Sequence, residues 1–153
     1  MKLNEENLIL MIDDSKDDFE FAKKAFHKAG LNSALLHAES GKEGLDYLFR
    51  KGKYAGEKNA PLPRMILLDI SMPDMDGIEV LKLVKANKTT ESIPVIMLSS
   101  SIEGKDIKQC YELGAGSYIA KPVSINGLHR AIEMLKNYWF EIVVLRKPMT
   151  LIE

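Results

Sequence analysis

The feature that most constrains the fold of this 153-residue chain is an alternation of short apolar runs with longer amphipathic stretches. The clearest apolar runs are Leu8–Ile12, Met65–Asp69 and Ile93–Leu98, and two of them lead directly into acidic residues. Runs this short and this apolar are typical of strands that are buried on both faces. The stretches between them carry apolar residues at spacings of three and four, which predicts helices. Repeated strand–helix units are therefore expected.

Two weaker strands and five helices complete the predicted pattern. The weaker strands are expected at 35–38 and 117–120. Five strands alternating with five helices predict an α/β fold, a doubly wound five-stranded parallel sheet. The default arrangement in this class is the flavodoxin-like strand order 2-1-3-4-5 with right-handed crossovers. The helices are predicted from a Ser15 or Asp17 cap to Gly30, over 41–49, 78–86 and 104–113, and from a Ser124 cap to about Trp139.

The length and composition favour a single domain over 1–153, with a core at about 8–138, since domains commonly span roughly 100–200 residues. The 21 basic and 22 acidic side chains give a net charge of −1. This balance argues against nucleic acid or anionic membrane as a partner held by bulk positive charge. The single cysteine, Cys110, the lack of a signal peptide and the lack of a roughly 20-residue apolar run favour a cytoplasmic location.

Two segments stand outside the repeated pattern. Residues 50–63 hold two glycines, two prolines and five charged residues, which predicts a loop longer than the usual two to six residues. Such a loop is either functional or mobile, or it is a tolerated insertion. Residues 139–153 form an apolar extension that either lengthens the last helix or adds a strand. That extension is expected either to bind a partner surface or to dock on its own domain.

Polar side chains follow four of the predicted strands. Asp13 and Asp14 follow the first strand, Asp69 the third and Ser99 the fourth, and the fifth leads into Lys121. These strands are neighbours in the expected order, and ligands of open parallel sheets bind at the carboxyl ends of the strands. A lone aspartate at a strand end is commonly a helix cap or a turn residue. The convergence of four strand ends on one cleft instead predicts a binding site.

Three carboxylates in one cleft predict a metal ion. Two unit charges about 5 Å apart repel by roughly 3 kcal/mol at an effective dielectric near 20, and one lysine cannot offset three such pairs. A hard divalent cation with oxygen ligands can, so Mg²⁺ is the predicted cofactor. Zinc is not indicated, because the histidines are dispersed. His27, His37 and His129 are predicted to be surface or packing residues without partners.

These residues resemble the receiver domain of two-component response regulators, the family of the chemotaxis protein CheY. The resemblance covers roughly Leu8 to Tyr138 and rests on four ordered motifs. It implies a signalling protein with intrinsic self-phosphorylation and dephosphorylation chemistry, rather than an enzyme. The motifs are Ile12-Asp13-Asp14, Leu67-Leu68-Asp69-Ile70-Ser71-Met72-Pro73-Asp74-Met75-Asp76-Gly77, Leu98-Ser99-Ser100 and Ala120-Lys121-Pro122.

The resemblance implies a phosphoacceptor and a metal site. Asp69 would attack the phosphorus of a phosphohistidine on a sensor histidine kinase. Asp13, Asp14 and Asp69 would bind Mg²⁺, and the backbone carbonyl of Ser71 would be a further ligand.

The resemblance also implies a phosphoryl-binding pair and a switch. The Ser99 hydroxyl would bind the phosphoryl group, and Lys121 would pair first with Asp69 and then with the phosphate. Tyr118 matches the aromatic switch residue that swings inward when Ser99 moves toward the phosphate. Pro122 matches the proline that commonly follows a cis peptide bond, which would aim Lys121 inward.

Two alternatives remain open at this point. A haloacid-dehalogenase-type phosphatase also uses a strand-terminal aspartate as nucleophile, but it needs a second aspartate where this chain has Ser71. A pseudo-receiver would share the fold without being phosphorylated, and the retention of every site residue counts against it. Nucleotide binding is not indicated, because the chain contains no Gly-rich phosphate-binding motif.

The loop at 50–63 and the apolar tail are similar to those of small stand-alone regulators that serve phytochrome-type histidine kinases. This likeness implies a phytochrome-type kinase as the phosphodonor and output through contacts with a further, unknown protein. It also implies a homodimer through the face of the fourth helix, fifth strand and fifth helix, together with the C-terminal tail.

Overall fold

The computed structural model describes residues 8–30, 35–57, 59–121, 125–135 and 137. The predicted cis proline, Pro122, the predicted Ser124 cap and the apolar extension at 139–153 lie outside the described residues. What the sequence predicts for these residues therefore stays a prediction.

The strands form one parallel sheet. In chain order they are β1 (Ile9–Ile12), β2 (Leu35–Ala38), β3 (Met65–Leu68), β4 (Val95–Ser99) and β5 (Ser117–Ala120). They lie in the order β2-β1-β3-β4-β5, and all four neighbouring pairs are parallel. The predicted α/β fold and its strand order are confirmed. The β4 strand begins after Pro94, which has no backbone N–H to donate to a ladder.

Helices cover both faces of the sheet. α1 and α5 pack on one face, where Ala22, Phe26 and Ile132 are buried, and α2, α3 and α4 pack on the other. Among the described residues, no helix is both long and apolar enough to cross a bilayer. The helices are α1 (Lys16–Lys28), α2 (Gly41–Phe49), α3 (Gly77–Ala86), α4 (Gly104–Glu112) and α5 (Ile125–Leu135), with a short 3-10 helix at Gly52–Tyr54.

The three central strands have no exposed residue, as their apolar sequences predict. Their successive side chains enter opposite layers, so Leu10 and Ile12 join one apolar cluster while Ile9 and Met11 join the other. The β2 and β5 strands lie at the edges and are mostly half-buried. This position explains why their sequences carry the weaker strand signal.

Side-chain caps begin two of the helices that follow the central strands. Ser15 Oγ accepts a hydrogen bond from Asp18 N at 3.1 Å, which makes Ser15 the cap of α1. Asp76 caps α3 by accepting from Glu79 N at 2.9 Å. The β1–α1 loop has three residues (13–15) and the β3–α3 loop has eight (69–76), and each cap fixes the residue at which its loop ends and the helix begins.

The described residues of the segment at 50–63 contact α2 near both ends of the segment. The buried Tyr47 donates its hydroxyl hydrogen to the Pro61 carbonyl oxygen at 2.6 Å. The Arg50 guanidinium lies over the Tyr47 ring and donates to the carbonyl oxygens of Tyr47 and Ala60. These contacts fasten both ends of the segment to the helix before it.

The loop from β3 to α3 passes very close to the backbone of Asp69. A Cβ atom placed on Gly77 would lie 2.0 Å from the Asp69 carbonyl oxygen and 2.9 Å from Ile70 Cα. The Gly77 N–H also donates to the Ile70 carbonyl oxygen at 2.9 Å. The obstructing atoms are backbone atoms, so they cannot move aside as a flexible side chain would. Glycine is therefore required where α3 begins.

We expect Gly77→Ala to lower the free energy of unfolding by about 2 kcal/mol or more, because overpacking against fixed atoms is destabilising. Gly104→Ala is the matched control, since Gly104 also begins a helix but its added Cβ would meet nothing within 4 Å. Urea unfolding measures both variants. Equal stability of the two variants would show that the β3–α3 loop relaxes freely.

Candidate functional site at the carboxyl edge of the sheet

The strand ends bring the predicted polar residues together. Asp13 follows β1, Asp69 follows β3, Ser99 ends β4 and Lys121 follows β5. Backbone hydrogen bonds continue past the strand ends, from Asp69 N to Ile12 O at 3.0 Å and from Lys121 N to Ser99 O at 2.7 Å. The parallel register therefore holds these residues at one edge of the sheet.

Three carboxylates meet in this cleft. Asp13, Asp14 and Asp69 each have an oxygen atom within 4.8 Å of an oxygen atom of the other two. Asp13 is 1% exposed and Asp69 is 5% exposed, whereas Asp14 is open to solvent. Two of the three negative charges are thus removed from water, which is unfavourable unless positive charge compensates them.

Lys121 supplies part of that compensation. Its ammonium nitrogen lies 2.8 Å from Asp13 Oδ2, 2.6 Å from Asp18 Oδ2 and 3.3 Å from Asp69 Oδ2. Burial alone would lower the pKa of Lys121, but its close contacts with the carboxylates of Asp13 and Asp18 and the nearby charge of Asp69 hold that pKa well above its usual range. The lysine is therefore a permanent cation in the cleft.

Asp18 is a member of this cluster that the sequence analysis missed. It lies in the first turn of α1, where acidic residues are common because they interact favourably with the helix dipole. An acidic residue at this position therefore gives, by itself, no sign in the sequence that it also pairs with Lys121. The signal that could have found it is its spacing, because it lies one helical turn after Asp14, on a helix that begins at the carboxyl edge of the sheet.

The two carboxylate oxygens of Asp13 differ in their hydrogen bonding. Its Oδ1 accepts from Ser15 N at 2.9 Å. Its Oδ2 is buried and touches the Lys121 ammonium, yet it accepts no hydrogen bond of acceptable geometry from the described residues. A buried carboxylate oxygen in this state is suited to a cation. Three carboxylate oxygens this close together are hard ligands, so the cleft fits a divalent metal ion.

His37 has partners, contrary to the prediction. Its Nε2 lies 2.7 Å from the Asp13 carbonyl oxygen, and its ring stacks on Phe19 with centroids 4.2 Å apart. A carbonyl oxygen can only accept, so Nε2 carries the hydrogen. The parallel pairing of β1 with β2 places the histidine there, which its isolated position in the sequence does not indicate. His37 therefore supports the loop that carries Asp13.

Burial and neighbouring groups together set the pKa of the Asp69 carboxyl. Burial raises its pKa from an ordinary 3.8 to about 6, and the charge of Asp13 acts in the same direction. Lys121 opposes this shift, as does the Ser71 N–H, which lies 3.4 Å from Asp69 Oδ1. At neutral pH the side chain is mainly a carboxylate. The proposed metal contact of the Ser71 carbonyl stays a prediction.

Ser99 and Tyr118 are connected through the loop between β4 and α4. Ser99 is buried, and its hydroxyl oxygen accepts from Ser101 N at 3.2 Å. Tyr118 is half-buried and donates its hydroxyl hydrogen to the Ser101 carbonyl oxygen at 2.7 Å. Its backbone N–H donates to the Tyr111 hydroxyl at 3.0 Å. A displacement of Ser99 therefore acts on a residue that Tyr118 contacts directly.

The raised pKa of Asp69 predicts a pH-dependent stability difference between the wild type and Asp69→Asn without metal. The folded-state value of about 6 lies above the unfolded value near 3.9, so the wild type loses stability as the pH rises between these values. The asparagine variant does not ionise there. We expect it to gain about 1–3 kcal/mol relative to wild type on going from pH 4 to pH 8. Urea unfolding in a chelator tests this, and a pH-independent difference would contradict it.

Comparison with known proteins agrees with this geometry. The family described as "Response regulator receiver domain" matches residues 9–133. The response regulator Rcp1 of Synechocystis sp. (strain ATCC 27184 / PCC 6803 / Kazusa) is 30% identical over 142 residues, which cover 93% of this chain and 95% of Rcp1. The probable methanogenesis regulatory protein FilR2 of Methanothrix harundinacea is 35% identical over 132 residues, covering 86% of this chain and 83% of FilR2.

Solved structures agree as well. The Mn²⁺-bound form of Rcp1 superimposes with a TM-score of 0.83 over 92% of this chain and 99% of that one, at 30% identity. The phosphorylated cyanobacterial phytochrome response regulator RcpA gives 0.84 over 91% and 97%, at 32% identity. These matches favour the receiver over the phosphatase alternative. The chain belongs to the response regulator receiver domain family, the CheY-like signalling proteins of two-component systems.

Proposed function

We propose that Asp69 accepts a phosphoryl group from a sensor histidine kinase, with Mg²⁺, and that the protein signals through contacts with other proteins. The observation that carries this proposal is the buried Asp69 carboxylate, which lies 3.3 Å from the Lys121 ammonium and beside two further carboxylates. This arrangement combines a nucleophile with positive charge at the place where phosphoryl oxygens would arrive. Membership of the family supports the kinase as donor.

The proposed transfer makes one bond and breaks one. An Asp69 oxygen attacks the phosphorus of the kinase phosphohistidine, and the P–N bond breaks with its electron pair going to the imidazole nitrogen, which takes up a proton. The product is an acyl phosphate. Phosphoryl transfer needs mainly positioning and charge stabilisation. The Lys121 ammonium and the Ser99 hydroxyl would both donate hydrogen bonds to the negative phosphoryl oxygens and so stabilise their charge. The same pocket would support reaction with small phosphodonors and hydrolysis of the product.

Asp13, Asp14 and Asp69 would hold the Mg²⁺ ion, with the Ser71 carbonyl as a further ligand. When bound, the ion supplies positive charge that neutralises the phosphoryl oxygens. The choice of Mg²⁺ rests on its preference for a few carboxylates together with waters and a phosphate. The partly unsatisfied Asp13 Oδ2 supports a cation at this place. Rcp1, a relative, has been crystallised with Mn²⁺ bound.

The proposed readout runs from Ser99 to Tyr118. Movement of the Ser99 hydroxyl toward a phosphoryl group would break the hydrogen bond that it accepts from Ser101 N. The Ser101 carbonyl oxygen accepts from the Tyr118 hydroxyl, and the Ser101 hydroxyl donates to Asp106 Oδ2 at 2.7 Å. The β4–α4 loop would thus link the phosphorylated pocket to α4 and to the outer edge of β5.

Two partners are proposed, a phytochrome-type kinase and a second copy of this chain. A phytochrome-type kinase is supported by the similarity to RcpA, which is a cyanobacterial phytochrome response regulator. We propose a homodimer through the α4, β5 and α5 face together with residues 139–153. Exposed large apolar side chains on α4 (Tyr111), on α5 (Met134) and just before α4 (Ile102) support this proposal. We also propose a single domain over 1–153 acting in the cytoplasm, which the lone cysteine supports.

The central experiment is phosphorylation by a small phosphodonor with and without Mg²⁺, comparing wild type with Asp69→Asn. We expect Mg²⁺-dependent, acid-stable and base-labile labelling in the wild type. The variant should lose it by at least about a hundredfold, because its neutral amide is not a nucleophile. Intact-mass measurement quantifies the label. Labelling that persists in Asp69→Asn would refute the assignment, and a wild type that never labels would instead indicate a pseudo-receiver.

We expect Tyr118→Ala to keep phosphorylation within about twofold of wild type while weakening the phosphorylation-dependent change in dimerisation. The reason is that Tyr118 contacts the Ser101 carbonyl but none of the carboxylates in the contacts described above. Light scattering with and without beryllofluoride measures the dimer. Tyr54→Ala is the control, because Tyr54 lies in the 3-10 helix after α2 and its ring contacts Tyr47. An unchanged dimer response in Tyr118→Ala would show that readout bypasses this side chain.

A further inference from the structure

The shortest ion pair of the cleft involves a carboxylate that neither the metal site nor the phosphoacceptor uses. Lys121 Nζ donates to Asp18 Oδ2 at 2.6 Å, closer than to Asp69 at 3.3 Å. The Lys121 side chain is 17% exposed and that of Asp18 is 37% exposed, so the pair lies at the rim of the cleft. Asp18 is not a member of the close group formed by Asp13, Asp14 and Asp69.

The position of Asp18 is set by the start of α1. Its backbone N–H donates to Ser15 Oγ at 3.1 Å, and the Ser15 N–H donates to Asp13 Oδ1 at 2.9 Å. Further along α1, Ala22 and Phe26 are buried against the sheet, which fixes the helix as a whole. The carboxylate of Asp18 is thus presented to Lys121 by a capped and anchored helix turn.

The contact between Asp18 and Lys121 makes the binding of a phosphoryl group less favourable. An ammonium group has three donors, and those of Lys121 face the carboxylates of Asp13, Asp18 and Asp69. Any phosphoryl group on Asp69 must draw on the same cation. The Asp18 charge also repels an incoming anion that lies a few ångströms away.

We propose that Asp18 is a positioning residue that restrains the Lys121 ammonium and competes with the phosphoryl group for it. Asp18 thereby lowers the affinity of the cleft for phosphoryl-like anions and sets how readily the protein enters its activated state. This inference rests on the proposed function of Asp69 and Lys121. It assigns to Asp18 a specific effect on anion binding, beyond a general contribution of charge at the start of α1.

The test is titration with beryllofluoride at saturating Mg²⁺, followed by backbone amide shifts in wild type, Asp18→Asn and Asp17→Asn. The asparagine at 18 keeps the shape of the side chain and removes its charge. We expect roughly three- to tenfold tighter binding, in line with the loss of one nearby like charge in a partly solvated cleft. Asp17→Asn removes a charge from the same helix turn, where the side chain is exposed, and should stay within about twofold of wild type.

A second readout needs neither metal nor phosphoryl mimic. The ¹⁵N-coupled ammonium signal of Lys121, identified by its absence in Lys121→Arg, should exchange faster with water in Asp18→Asn and be unchanged in Asp17→Asn. Asp18→Glu should restore part of the protection, because it retains a carboxylate. A double-mutant cycle with Lys121→Met should show that most of the Asp18→Asn effect on beryllofluoride affinity requires the lysine.

Two results would overturn the inference. Asp18→Asn binding beryllofluoride no better than Asp17→Asn would show that the ion pair does not compete. Weaker binding in Asp18→Asn would show that Asp18 assists the lysine instead of restraining it. Failure of the proposed function is a separate result, since wild type would then neither bind beryllofluoride with Mg²⁺ nor be phosphorylated on Asp69.

Discussion

The interaction on which this structure depends is the attraction between one ammonium group and the carboxylates gathered around it. Asp13 and Asp69 are almost fully buried, and two such charges a few ångströms apart repel by several kcal/mol at an effective dielectric near 20. Lys121 lies between them and adds its contact to Asp18. Burial, and after it the charge of Asp13, keep the pKa of Asp69 raised to about 6 despite Lys121, so the negative charge of the cleft is only partly compensated. That residual negative potential is what a divalent cation would neutralise.

The surrounding fold holds these charged side chains close together and in fixed positions. Three central strands buried on both faces leave their ends no freedom to separate. The Ser15 cap and the tight approach of Gly77 to the Asp69 backbone hold the loops that follow two of these strands in place. His37 supports the Asp13 carbonyl from the neighbouring strand. A preorganised cleft of this kind needs little rearrangement when charge arrives, which is the condition for efficient electrostatic stabilisation.

Much of the site could be predicted from the sequence, because its main residues occupy strand ends that a parallel sheet must bring together. Asp69 and Lys121 are 52 positions apart, yet they follow strands β3 and β5, which only β4 separates, so both lie at the same carboxyl edge. Asp18 and His37 could not be predicted in the same way. The role of Asp18 depends on the direction in which a helix turn points, and that of His37 on the register between β1 and β2.

The sequence by itself determined the class of fold and the set of residues at the carboxyl edge, because hydrophobic periodicity and strand-terminal position are properties of local order. Only the tertiary structure decided how charge is shared within the cleft. The ammonium of Lys121 lies nearer to Asp18 than to Asp69, and one buried oxygen of Asp13 contacts that ammonium without accepting a hydrogen bond from the described residues. Such differences of less than an ångström arise from side-chain packing across three strands and a helix, and electrostatic energy in a buried cleft is sensitive to them.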